Sequence, residues 1–158
     1  MGDQPNTGNY RFVIGGLILW ANFAAGTSFQ AMSPLLPLIE RDYGIGHATG
    51  GLLMGSVLII VAAFGLPGGV IVGRLGLWRT YTISYLMMGL LTLSALSPTF
   101  EGLLVLRIAF GLGMAAMFPA TGMLVMQWFR PKELPVVTSL SMAAVSLGMV
   151  VSAASAAP

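Results

Sequence analysis

The chain has 158 residues, 56% of them hydrophobic and only 8% charged, whereas a soluble domain carries about a quarter charged residues; lipid is therefore the expected solvent for most of its surface. The absence of Cys and the single His exclude disulfides, thiolate and multi-His metal sites, Cys nucleophiles and bis-His haem, so no cofactor or metal is expected. Seven basic residues give a net charge of +2, but they are scattered and form no nucleic-acid footprint.

Residues 1–11 read as a short polar tail. It is not a cleavable signal, because Met1 to Tyr10 lacks Lys and Arg and the apolar stretch that follows is too long. Five charge-free windows come next, each of about 20 residues or more, the length that crosses a ~30 Å hydrocarbon core. They predict an all-α polytopic membrane bundle with spans near 12–33, 48–71, 80–98, 102–128 and 135–158. Barrel strands would alternate polarity over about ten residues, and these windows do not. The last window stops at Ala-Ala-Pro without a polar exit, so the chain is expected to be cut off in or just after a fifth helix.

The first span carries Asn22, Gly26 and Gln30 on one face at helical spacing. Two amides with a gap between them suit either a water-filled cavity or interhelical hydrogen bonds. On the second span Gly51 with Gly55, and Gly65 with Gly69 and Gly73, recur every four residues. Thr138, Ser141, Val145, Gly148, Ser152 and Ser155 form a similar stripe on the fifth. Both are expected to be helix-packing faces. Pro34, Pro37, Pro67 and Pro119 can kink helices or act as hinges. Between the second and third spans, Gly73 and Gly76 permit a tight turn, and Arg74 and Arg79 set topology. His47 falls in a loop after Gly46, where an exposed side chain is the default.

Arg107 is the most informative residue. It lies about six residues into the fourth span, roughly 9 Å below its entry point. A charge there needs a partner, water or an escape route. It either serves function or snorkels back to the interface. Gly111 and Gly113 follow it, leaving room for an open backbone one turn below the guanidinium.

With the N-terminus in the cytoplasm, the inner segments hold Arg11, Arg74, Arg79, Arg130 and Lys132, and the outer ones only Arg41. That bias fixes the expected orientation in an inner membrane. Trp78, Tyr81, Trp128 and Phe129 are then expected at the inner interface, and Tyr43 and Phe100 at the outer. Enzyme readings fare poorly: there is no G-x-S-G nucleophile, His47 lies outside the spans, and none of the five acids is deep in one. A channel would want a re-entrant filter or a ring-forming acid, and neither is visible. An inactive truncated fragment is the other alternative.

Three features resemble the major facilitator superfamily. The turn after the second span is similar to the family's G-x-x-x-D-R/K-x-G-R-R/K motif: Gly69, Arg74 and Gly76 match, while Gly73 stands for the Asp and Leu77 for an Arg. Arg107-x-x-x-Gly111-x-Gly113 resembles its R-x-x-x-G-x-G pattern. Phe118-Pro119-Ala120 with Trp128-Phe129 resembles the same region of anion-carrying members. The resemblance implies twelve helices in two bundles, alternating access around a central site, and a missing C-terminal part as intramolecular partner. It implies a substrate-binding or coupling role for Arg107, with a proton or other ion as co-substrate. Arg74 would serve a cytoplasmic gate together with Gly69, Gly73, Gly76 and Arg79. The fifth span lacks G-x-x-x-G-P-x-x-G-G, which points away from multidrug export and toward an anion or metabolite carrier.

Overall fold

The computed structural model describes residues 10–97 and 99–155, so most of the expected tail lies outside the described residues. What is described is helical, with no strand: α1 Tyr10–Gln30, α2 Leu36–Tyr43, α3 His47–Leu75, α4 Leu77–Gly89 running on as a 3-10 helix over Leu90–Leu96, α5 Phe100–Trp128 and α6 Leu134–Ser155. Of these, α1, α3, α5 and α6 are each long and apolar enough to cross a membrane. The helical path from Leu77 to Leu96 adds about 33 Å of rise, near the thickness of a hydrocarbon core.

The boundaries follow local chemistry. Pro34 has no N–H and disfavours helix at Ser33, so α1 gives way to a turn in which Ser33 N donates to Gln30 O at 2.9 Å. Pro37 suits the first turn of the short helix α2, which sequence reading left as loop. Gly44, at φ 63°, ends α2 by donating its N–H to Glu40 O. Gly76, at φ 82°, is the whole connection between α3 and α4. Gly69, Gly73 and Arg74 therefore belong to α3, and Arg79 to the first turn of α4, rather than to a loop. Thr99 caps α5 by accepting from Gly102 N at 3.2 Å. Pro67 and Pro119 lie inside α3 and α5, which continue through them.

Helix α5 is central: half of its most apolar window is buried, against 17–22% for the other three long helices. It packs on α3 and α4, while α6 packs on α1. These seams depend on close backbone approach. A Cβ added to Gly26 would strike the Val145 carbonyl, and one added to Gly148 would strike the Phe23 carbonyl. Gly68 of α3 faces the Ala115 carbonyl, where a Cβ would lie 2.8 Å away. On α6 the middle of the expected stripe packs, with Ser141, Val145, Gly148 and Ser152 buried, while Thr138 and Ser155 at its ends are exposed. On α3 the expected stripe is not the seam. Gly51, Gly55, Gly65 and Gly73 have nothing within 4 Å of an added Cβ, and Gly50, Leu53, Val57, Gly68 and Val72 are buried instead. Four-residue spacing picks out a face but cannot say which of several small faces finds a neighbour.

Charge sorts to the two ends. Tyr10 lies tilted against Trp128 with ring centroids 5.9 Å apart, and Arg11 pairs with Glu133 at 3.1 Å. The starts of α1 and α6 thus meet the end of α5, and Arg11, Arg74, Arg79, Arg130 and Lys132 all belong to helix ends or connections on this side. At the other end Tyr43 bonds Ser97 O at 2.8 Å and packs edge-on to Phe100. Glu40, Arg41, Asp42, His47 and Glu101 lie there. Between the ends, Leu17, Trp20, Leu52, Leu58 and Leu66 are exposed apolar side chains, as a lipid-facing surface requires.

Candidate functional site

Arg107 sits seven residues after Phe100 and is completely buried. Side chains on a helix lean toward its N-terminus, and that lean carries the guanidinium into the space between α1 and α3. Its Nε donates to Met32 Sδ at 3.0 Å, Nη2 to Met54 Sδ at 3.6 Å and Nη1 to the Phe29 carbonyl at 3.5 Å. The guanidinium is enclosed by protein rather than exposed. Thioethers are weak acceptors, and a guanidinium has five N–H donors. Among the described residues the ion pairs are Arg11–Glu133 and Glu40–His47, so no carboxylate answers Arg107. Desolvating an ion costs on the order of several kcal/mol, which such contacts return poorly. The guanidinium therefore keeps donor capacity that these contacts do not fill.

The other residues singled out by sequence are placed differently. Asn22 is buried, and its Nδ2 donates to Ile18 O of its own helix at 2.8 Å. The gap at Gly26 is filled by the α6 backbone rather than by water space. Gln30 is half-buried near the end of α1. Gly111 lets α5 meet α3, with Ile60 Cβ and Val57 Cα at 3.2 and 3.4 Å from an added Cβ. Gly113 lets it meet α4, with Ser84 O at 2.7 Å. The backbone below the guanidinium is therefore closed by neighbouring helices, not open. Gly69 approaches Pro119, and Arg74 and Arg79 are exposed. Tyr81 is half-buried, and its hydroxyl shares a 2.8 Å hydrogen bond with Thr121 inside the α4–α5 seam.

Sequence reasoning missed Met32 and Met54. A methionine on an apolar helix gives no warning that it will face a cation. It also missed a hollow of about 640 Å³ between α1, α2, α4 and the start of α5. Met32 lines this hollow while also accepting from Arg107, so its thioether borders both. Tyr85 lines the same hollow, and its buried hydroxyl has no partner. Among the described residues no cluster of His, Cys, Asp or Glu could hold a metal.

A central helix with a buried arginine, flanked by long apolar helices with charge at their ends, defines a membrane-spanning helical bundle. Comparison with known proteins agrees: the profile of the Major Facilitator Superfamily matches residues 18–157, and the chain belongs to that family of transport proteins. It is 29% identical over 124 residues to the hexuronate transporter of Bacillus subtilis, covering 78% of this chain and 29% of that protein. It is 34% identical over 98 residues to the 4-hydroxybenzoate transporter PcaK of Pseudomonas aeruginosa, covering 61% and 22%. An uncharacterized protein of Campylobacter jejuni is 26% identical over 128 residues, covering 78% and 40%. The chain spans less than half the length of each of these relatives. No solved structure gives a significant match.

Proposed function

We propose that this chain is the N-terminal part of a secondary transporter that carries a small organic anion, with Arg107 as the group that holds the anion's carboxylate. The observation that carries the reading is a fully buried guanidinium met by two thioethers and one distant carbonyl. The reading is also supported by two relatives whose names specify a hexuronate and 4-hydroxybenzoate, both carboxylates. In this reading five spans cross an inner membrane with the N-terminus in the cytoplasm. α4 and its 3-10 continuation form the third, and the basic end of the bundle faces the cytoplasm. Further helices complete a second bundle, and alternating access exposes the space around Arg107 to each side in turn, coupled to a proton or other ion. Arg74 and Arg79, with Gly69, Gly73 and Gly76, border the cytoplasmic gate. Asn22 and Gln30 are the next candidates for substrate or coupling contacts, and Gly111 and Gly113 hold the helix that presents Arg107.

The test is uptake into proteoliposomes by the full-length protein, comparing carboxylates with neutral analogues of equal shape: glucuronate against glucose, and 4-hydroxybenzoate against 4-hydroxybenzamide. Saturable uptake confined to acids supports the proposal. Equal transport of neutral analogues, or transport of organic cations, overturns it.

A further inference from the structure

A second hollow, of about 390 Å³, lies at the basic end of the bundle, away from Arg107. The Gly76 turn between α3 and α4 forms one wall and the last turn of α5 the other. Its chemistry is divided. Leu75, Leu77 and Leu124 supply apolar surface, Arg79 and Gln127 supply donors, and Trp78 and Trp128 flank it. Trp78 is 86% exposed, a heavy exposure for an indole that faces water alone but an ordinary one at the headgroup level of a bilayer, where amphipathic rings settle. Arg79 is exposed, and no carboxylate pairs with it among the described residues. Arg74, one residue before the pocket-lining Leu75, is likewise unpaired among them.

We infer that this hollow seats the headgroup of an anionic phospholipid. The phosphodiester is held by the Arg79 guanidinium and the Gln127 amide, and the glycerol and upper acyl chains run over Leu75, Leu124 and the indoles. Charge complementarity selects the occupant. Arg79, Arg74 and the other bases at this end attract an anion, and the apolar walls favour one that carries a lipid tail. Gly76 makes the concavity possible, because at φ 82° it turns the chain in a single residue with no side chain to fill the hollow. Trp78 and Trp128 then mark the depth at which this end of the bundle rides. The site depends on the bundle lying in a membrane, not on which solute is transported.

The experiment is native mass spectrometry of the full-length protein released from micelles with equimolar phosphatidylglycerol and phosphatidylcholine. The parent should retain phosphatidylglycerol selectively. Arg79→Gln should weaken that retention about tenfold, the value of one charge-assisted hydrogen bond, with helicity by circular dichroism unchanged. Lys132→Gln, which removes a base at the same end but outside the hollow, should retain the lipid as the parent does. Arg79→Lys should recover part of the retention, because an ammonium keeps the charge without the fork. Equal losses in Arg79→Gln and Lys132→Gln would reduce the effect to general charge and overturn the site. Displacement of the lipid by millimolar inorganic phosphate would show a pocket for free anions and overturn the assignment to lipid.

Discussion

The α1–α6 seam offers the sharpest stability test, because two glycines meet backbone rather than side chain. At Gly26 an added Cβ would lie within contact of the Val145 carbonyl oxygen, and at Gly148 within contact of the Phe23 carbonyl and 2.8 Å from Thr27 N. Neither obstacle can rotate away, so the helices must separate by about 1 Å along the seam. That forfeits a quarter to a half of each contact across it, and overpacking of this kind costs about 1–3 kcal/mol. Rigid carbonyls place Gly26→Ala near the upper limit, about 2–3 kcal/mol. Gly55→Ala is the control, since nothing lies within 4 Å of its added methyl, and it should change stability by less than about 0.5 kcal/mol. Once one alanine has pushed the helices apart the second costs less, so Gly26→Ala/Gly148→Ala should fall short of the sum by at least about 0.5 kcal/mol. Reversible unfolding in mixed micelles, followed by circular dichroism, measures all four. Equal stability of Gly26→Ala and Gly55→Ala would refute the close packing of α1 on α6.

Other expectations follow from the same geometry. Gly73→Asp, which supplies the acid of the family motif, should insert and fold like the parent, because Gly73 is exposed on the last turn of α3 with open space around it; loss of membrane insertion would show a hidden neighbour. A Cys placed at Gly76 in this Cys-free chain should resist an impermeant maleimide in intact cells and react after permeabilisation. Labelling from outside would reverse the topology. In the full-length protein Met32→Leu keeps the volume but removes the sulfur that occupies Arg107 Nε. If a carboxylate must displace that thioether, KM should fall about fivefold for a lost interaction of ~1 kcal/mol, and an unchanged KM would mean that Met32 does not compete with substrate.

Much of the architecture was legible because lipid imposes a simple rule: every charge-free window long enough to cross is helix. Arg107 stood out for the same reason, as a charge inside such a window. The details that depend on neighbours were not legible. Gly65 and Gly68 are indistinguishable as residues, yet only Gly68 meets another backbone. Asn22 suited either a cavity or an interhelical hydrogen bond, and its amide instead donates within its own helix. α2 escaped notice because eight residues with Glu40, Arg41 and Asp42 read as a charged loop, whereas Pro37 and Gly44 are ordinary start and stop signals. Met32 and Met54 escaped because methionine's role as an acceptor appears only when a cation is brought against it.

The central claim, that Arg107 holds the transported anion, is tested most directly by uptake of radiolabelled glucuronate and 4-hydroxybenzoate into vesicles bearing the full-length protein, corrected for protein amount. Arg107→Ala removes a buried charge and should insert normally, yet abolish uptake of whichever acid the parent carries. Arg107→Lys should restore only a part, since an ammonium cannot form the paired, planar contact of a guanidinium. Near-parental uptake by Arg107→Ala would contradict the account and move attention to Asn22 and Gln30.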